Sequence, residues 1–205
     1  MASTLGRQIC PASAGLRCNR FGIKNIPQAL RPLPSHAMAK TDARAPGRRS
    51  AASVGTAART VVADSGPLLA LFNTADHWHT PVLQWLQANP QARLLTTWPV
   101  VTEVCAMLAR RVSNAAALDF LRWGQRGGFT LDAPGAEALP EALAQVLLIS
   151  ERFHDLPFDL ADASVAELAS RHGLHHVLTI DSDFDVYRDA RGKALRHVLR
   201  DGWAG

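Results

Sequence analysis

Four carboxylates stand where secondary-structure reasoning can bring them together. Asp64 ends a short apolar run, and Glu103 lies within a helical pattern. Asp162 falls in the first turn of a later helix, and Asp181 ends another apolar run. Asp183 and Asp185 follow close behind. Carboxylates gathered this tightly repel one another, and burial adds to the cost unless a cation neutralises them. Hard divalent ions with oxygen ligands meet that need, and Mg²⁺ takes only a few carboxylates while keeping its waters. Two such ions roughly 3.5–4 Å apart activate a water and stabilise the leaving oxygen in phosphodiester hydrolysis. Neither thiol nor histidine is required. Each acid also has an ordinary reading. Asp64 could be a helix N-cap, Glu103 a surface residue, and Asp159 and Asp162 charges favoured by a helix dipole. Asp181, Asp183 and Asp185 could be turn residues. Asp159 reads as the cap and Asp162 as the ligand; it is the joint pattern that points to chemistry.

The elements that must position these acids follow from pattern. Residues 156–169 read as a helix with an acidic first turn, because Val165, Leu168 and Ala169 fall on one face. Residues 176–180 read as a buried strand opening onto Asp181 and Asp183. One turn between helix and strand joins their acids, and sites in open α/β sheets lie beyond the carboxyl ends of the strands. Upstream, residues 61–64 form a strand ending in Asp64, and Pro67 opens a helix over 67–72. A polar loop over 73–80 leads to a helix over 81–87. A strand over 93–97 is followed by helices over 99–111, which carries Glu103, and 114–125. Residues 127–131 read as a strand, 140–153 as a long amphipathic helix, 184–187 as a short helix, and 195–199 as a last strand. The alternation predicts an α/β fold: a mostly parallel sheet of about five strands covered by helices on both sides.

Composition sets the limits. The 205 residues are 47% hydrophobic, enough for one full core, and no run approaches the ~20 apolar residues of a membrane span. The net charge of +4 misleads. Residues 1–59 hold ten Lys or Arg against Asp42 alone, a balance of +9, while the other twelve basic and seventeen acidic residues leave 60–205 at −5. A whole-chain argument for nucleic-acid binding from basicity therefore fails. Residues 1–58, rich in Ala, Ser, Pro, Gly and Arg, read as a disordered basic extension before a domain over 59–205. A start at Met38, a polybasic arm and a transit peptide all fit that segment. Cys10, Cys18 and Cys105 lack regular spacing, which argues against a disulfide framework and fits a reducing, cytoplasmic setting.

Four segments stand in succession: Val62-Ala-Asp-Ser-Gly-Pro-Leu-Leu-Ala-Leu71, Thr97-Trp-Pro-Val-Val-Thr-Glu-Val104, Asp155-Leu-Pro-Phe-Asp-Leu-Ala-Asp-Ala-Ser164 and Leu178-Thr-Ile-Asp-Ser-Asp-Phe184. They resemble the successive motifs of PIN-domain ribonucleases, most of all the VapC-type toxins of toxin–antitoxin systems. The resemblance covers about residues 60–200 and none of the extension. It implies a three-layer α/β/α domain, a Mg²⁺- or Mn²⁺-dependent acidic site and endonucleolytic cleavage of RNA. It also implies a homodimer and a cognate antitoxin that occludes the site. Asp64, Glu103, Asp162 and Asp181 match the acidic positions, with Asp64, Asp162 and Asp181 as metal ligands. Ser65 and Thr179 match neighbouring hydroxyl positions that orient a carboxylate or a water, and Asp183 a further acid. The long basic extension departs from the compact pattern.

Rival readings remain. A phosphoacceptor signalling domain also gathers acids at strand ends, but it needs a lysine at the site, and Lys193 alone follows residue 40 and precedes the last strand. A catalytically inactive PIN-like module binding RNA or a partner is the alternative. His77, His79, His172, His175 and His176 lack ligand spacing and read as solvated or structural. Trp78, Trp85, Trp98 and Trp123 read as core or dimer contacts, with base stacking the other possibility. Arg110, Arg111, Arg122 and Arg126 read as a solvated face, or as phosphate holders around the pocket.

Overall fold

The central strand β1 (Thr60–Ala63) is an unbroken apolar run with Val61, Val62 and Ala63 fully buried. Such a run suits a strand covered on both faces. It pairs in parallel with β2 (Arg93–Thr97) on one side and β4 (His176–Leu178) on the other. Beyond β2 lies β3 (Thr130–Asp132), and beyond β4 lies β5 (Arg196–His197), again parallel. The order is β3-β2-β1-β4-β5. This computed structural model describes residues 59–203 apart from 157 and 190, and the predicted extension over 1–58 lies outside the described residues.

The chain winds from β1 through β2 to β3, then reverses to β4 and β5. Right-handed crossovers in both directions cover both faces of the sheet, which gives the three-layer α/β/α architecture that the sequence predicts. Helices α1 (Ser65–Leu71) and α2 (His79–Ala88) join β1 to β2. Helices α3 (Trp98–Arg111) and α4 (Asn114–Gln125) join β2 to β3. The return crossover carries α5 (Leu139–Arg152) and α6 (Leu160–His172). Reversal makes the gap between the carboxyl ends of β1 and β4 the switch point of the sheet, where such folds place their ligands.

Helix α6 is the best-buried helix. Nine successive residues, Ala161 to Ala169, are buried, which is possible because five of them are Ala or Ser. Small side chains let α6 lie against β1, β2, α3 and α5 at once. The expected apolar face of Val165, Leu168 and Ala169 is therefore only part of what it buries. Gly173 ends α6 in the left-handed region at φ +64°, and Leu174 N–H returns to the Ala169 carbonyl at 2.8 Å. Within the same core, Phe72, Phe120, Trp123 and Phe129 pack with ring centroids 5.2–6.4 Å apart, so Trp123 is a core residue.

Three predicted strands are shorter in the structure. The one expected over 127–131 is Thr130–Asp132. The one expected over 176–180 stops at Leu178. The Leu178 carbonyl accepts from Asp64 N–H, and the Thr179 hydroxyl then takes over as acceptor for Asp181 N–H. The strand expected over 195–199 is Arg196–His197, after which α7 (Val198–Asp201) turns helical. There the Asp201 carboxylate accepts from His197 N–H at 3.1 Å, a local bond that competes with further pairing at the sheet edge. The short helix expected over 184–187 is a 3₁₀ turn at Ser182–Asp185.

Gly66 marks a close approach near the switch point. A Cβ built there would lie 2.7 Å from Ile180 Cγ1 and 3.0 Å from Cδ1. Ile180 sits between Thr179 and Asp181, so the clash would move the segment that carries them. Gly66→Ala is therefore expected to destabilise the fold by about 1–3 kcal/mol, read as a lower urea midpoint. An unchanged midpoint would mean that Ile180 gives way freely.

Candidate active site

Asp64 is the fixed point of the site. The peptide after β1 turns directly into α1, and the Asp64 side chain caps that helix, Oδ1 accepting from Ser65 N–H at 2.6 Å. Its other oxygen, Oδ2, accepts from the Thr179 hydroxyl at 2.8 Å. Thr179 in turn accepts from Asp181 N–H at 3.0 Å, and Asp181 Oδ1 accepts from Asp183 N–H at 2.8 Å. Thus one chain of hydrogen bonds ties the ends of β1 and β4 together. Asp64 and Thr179 are each only 2% exposed. Ser65 contributes its backbone N–H, and its side chain is half-buried beside the carboxylate.

Asp162 arrives from the first turn of α6. Asp159 caps that helix, Oδ1 accepting from Ala161 N–H at 2.7 Å and Asp162 N–H at 3.1 Å. Asp162 Oδ2 accepts from Asp159 N–H at 3.0 Å, completing a reciprocal capping box. The ordinary readings of Asp64 and Asp162 are thus correct, and they do not exclude the pocket reading. A carboxylate offers about four acceptor positions, so one bond to a helix end leaves capacity toward the cavity. The same holds for Asp181, which caps the 3₁₀ turn.

The charges of Asp181 and Glu103 act on Asp64, and those of Asp64 and Asp181 act on Asp162. Burial pushes the Asp64 carboxyl up to about 6, helped by the charges of Asp181 and Glu103, against the pull of the Thr179 and Ser65 hydrogen bonds. Burial likewise pushes Asp162 up to about 7; the Asp159 N–H opposes this, and Asp64, Asp159 and Asp181 reinforce it. Asp183 is also raised, by desolvation and by Asp181. Asp185 stands apart. Both its oxygens are held at 2.7 Å by Arg200, beside the ring of His197.

Two positioning residues escaped the sequence analysis. Thr97 caps α3, the helix that carries Glu103, and Ser164 lies one half-turn beyond Asp162 in α6. Their hydroxyls are 2.7 Å apart and buried. Ser164 gives its proton to the Ala161 carbonyl at 2.7 Å, so the Thr97 hydroxyl must donate to Ser164 while accepting from Val100 N–H at 3.4 Å. This relay locks the starts of α3 and α6 together, and with them Glu103 and Asp162. A Thr one residue ahead of Trp-Pro was a legible capping signal; its partner 67 positions away was not.

Other residues singled out by sequence lie elsewhere. Arg110, Arg111 and Arg126 are exposed, and Arg122 pairs with Asp119 at 2.9 Å, so these form a solvated face. His79 Nδ1 meets the Ala70 carbonyl, and His172 Nε2 meets Asp132, both structural contacts. Trp85 packs on Trp203. Trp98 is 56% exposed and is no core residue.

An oxygen-only set of acids fits a hard divalent ion by its chemistry. Among the described residues no three His, Cys, Asp or Glu side chains already stand in ion-binding array. What the geometry offers is carboxylates in repelling pairs around Asp64, which suits an ion that keeps most of its waters.

No protein-family model matches the chain, and no curated protein matches it. Among solved structures it is similar to VapC20 of Mycobacterium tuberculosis, a sarcin–ricin-loop-cleaving toxin, with a TM-score of 0.52 and 18% sequence identity. The match covers 60% of this chain and 91% of that one. It shows that the fold is PIN-like.

The raised carboxyls have a consequence for stability. Between about pH 4 and pH 6 the folded Asp64 keeps a proton that the unfolded chain has lost, so this residue makes the ion-free fold less stable as pH rises. The half-buried ring of His176 and the buried ring of His197, each held below the usual value chiefly by desolvation, act in the opposite direction. The carboxylate effect is therefore read from a difference. In chelator, wild type should lose of the order of 2 kcal/mol relative to Asp64→Asn between pH 4.5 and 7, measured by urea unfolding. Parallel pH curves for the two proteins would contradict it.

Proposed function

We propose that this chain is a Mg²⁺- or Mn²⁺-dependent endoribonuclease that hydrolyses RNA phosphodiester bonds, and that it acts as the toxin of a toxin–antitoxin pair. The observation that carries the reading is the convergence of Asp64, Glu103, Asp162 and Asp181 from four elements at the switch point of a PIN-like sheet. The RNA-cleaving toxin of similar fold supports the toxin assignment. A homodimer, a cognate antitoxin and cytoplasmic residence belong to the same proposal. Among the described residues no helix is long and apolar enough to cross a membrane.

Asp64, Asp162 and Asp181 are the residues that would hold the ion. When bound, the ion supplies positive charge for the phosphate and lowers the pKa of water. The chain's own residues do the rest. Thr179 holds Asp64 Oδ2 and, through Asp181 N–H, fixes the carboxylates of two strands against each other. Ser65 N–H holds Asp64 Oδ1, so neither oxygen can swing away. Glu103, carried by α3 and acting on Asp64 through its charge, would complete the pocket and orient the attacking water. Asp183 stiffens the turn that presents Asp181.

The deciding assay is RNA cleavage with Mn²⁺, with chelator, and with Asp64→Ala. Wild type should cleave only with the ion, while Asp64→Ala and Asp162→Ala should lose cleavage yet remain folded. A fully active double variant would end the nuclease reading. A protein that neither cleaves nor takes up Mn²⁺ in calorimetry would instead fit the inactive binding module. Thr179→Val should cost roughly 10–100-fold in activity. Loss of its hydrogen bond, which now lowers the Asp64 carboxyl, should also move the acid limb of the pH–rate profile to higher pH. A limb that stays in place would separate Thr179 from Asp64.

A further inference from the structure

Next to the acids lies a recess of about 350 Å³ whose walls include Thr179 and Asp181 themselves. Its volume falls at the small end of the roughly 300–1,000 Å³ typical of ligand pockets. Trp78, Ile180 and Leu199 supply apolar surface, and Arg200 stands at the same wall. The Arg200 cation is already matched: its guanidinium grips both Asp185 oxygens at 2.7 Å, and its Nε meets Asp201 at 2.9 Å. With Ser182 and the His197 ring in the same lining, the recess offers an indole and aliphatic surface beside a carboxylate, a hydroxyl and an imidazole edge, with the Arg200 cation committed. That combination disfavours a phosphate and suits a flat, neutral ring.

We propose that this recess receives the base of a nucleotide adjoining the scissile phosphate, with Trp78 as its stacking surface. The inference rests on the ribonuclease reading and adds a subsite to it. Because Thr179 and Asp181 belong to both places, a strand whose phosphate reaches the acids has its neighbouring base beside the recess. Trp78 is suited to the role. It is half-buried and packed against the core, and its backbone N–H is tied to Asp76 Oδ1 at 2.9 Å at the start of α2. An aromatic face held this way stacks with any base, so the subsite grips the strand without demanding one sequence.

The experiment uses the full chain and short 2′-O-methyl RNA oligonucleotides of mixed sequence, which bind without being cleaved, with binding read by fluorescence anisotropy. Trp78→Ala should weaken binding about 5- to 100-fold, and Trp78→Phe should retain most of it. Oligonucleotides carrying one abasic nucleotide, moved along the strand, should reveal one position whose base matters to wild type but not to Trp78→Ala. That test needs no change in the protein for its first half, so misfolding cannot mask it. If wild type cleaves RNA with Mn²⁺ while abasic positions and Trp78→Ala leave binding unchanged, the recess is not a base site and the nuclease reading survives. If wild type neither binds nor cleaves RNA, the nuclease reading falls, and this subsite falls with it.

Discussion

The constraint on which the site depends is the burial of like charge. Asp64 sits almost out of reach of solvent, within the field of two other carboxylates, Asp181 and Glu103. Ionising it there costs free energy through lost hydration and repulsion. The protein offsets part of that cost with two donors, the Thr179 hydroxyl and Ser65 N–H. The rest is left standing as carboxyls raised toward neutrality. A pocket that holds unfavourable negative charge in the absence of a partner is one that gains by meeting a cation.

Maintaining such a pocket demands rigid walls, and the hydrogen bonds are spent accordingly. The Thr179 link joins β1 to the segment after β4, and the Thr97–Ser164 relay joins α3 to α6. A third contact, from the buried Thr96 hydroxyl to the Ala63 carbonyl at 2.7 Å, joins β2 to β1 just before Asp64. Each is a side-chain bond between elements distant in sequence, and each lies at the carboxyl end of the sheet. Farther down α6, Glu167 is also buried, but Arg171 neutralises it at 2.7 Å. The contrast separates two kinds of buried acid: Glu167 has a counter-ion in Arg171, whereas Asp64 and Asp162 have none among the described residues.

Several readings that looked like rivals are compatible. Asp64 and Asp181 cap helical turns, Asp162 completes a capping box, and the charges of Asp64 and Asp181 both act on Asp162. Capping uses one or two lone pairs and fixes the side chain's direction, so the structural role orients the acid instead of competing with its chemistry. For Trp98 the structure removes the core reading alone: it stands exposed at the start of α3.

Apolar runs, capping residues and breakers made most of the architecture readable from sequence. β1 is a continuous hydrophobic run, Thr97 and Asp159 announce helices, and Gly173 ends one; these signals are local, and local chemistry enforces them. The four acids were readable for the same reason, since each stands at the end of a strand or in a helix that pattern alone could place. What sequence could not decide was whatever depends on a partner far along the chain. The Thr179–Asp64 bond spans 115 residues, and the Thr97–Ser164 relay spans 67. The degree to which Asp64 is desolvated is a property of the packed domain, because burial and long-range charge exist only once α3, α6, β1 and β4 have closed around it.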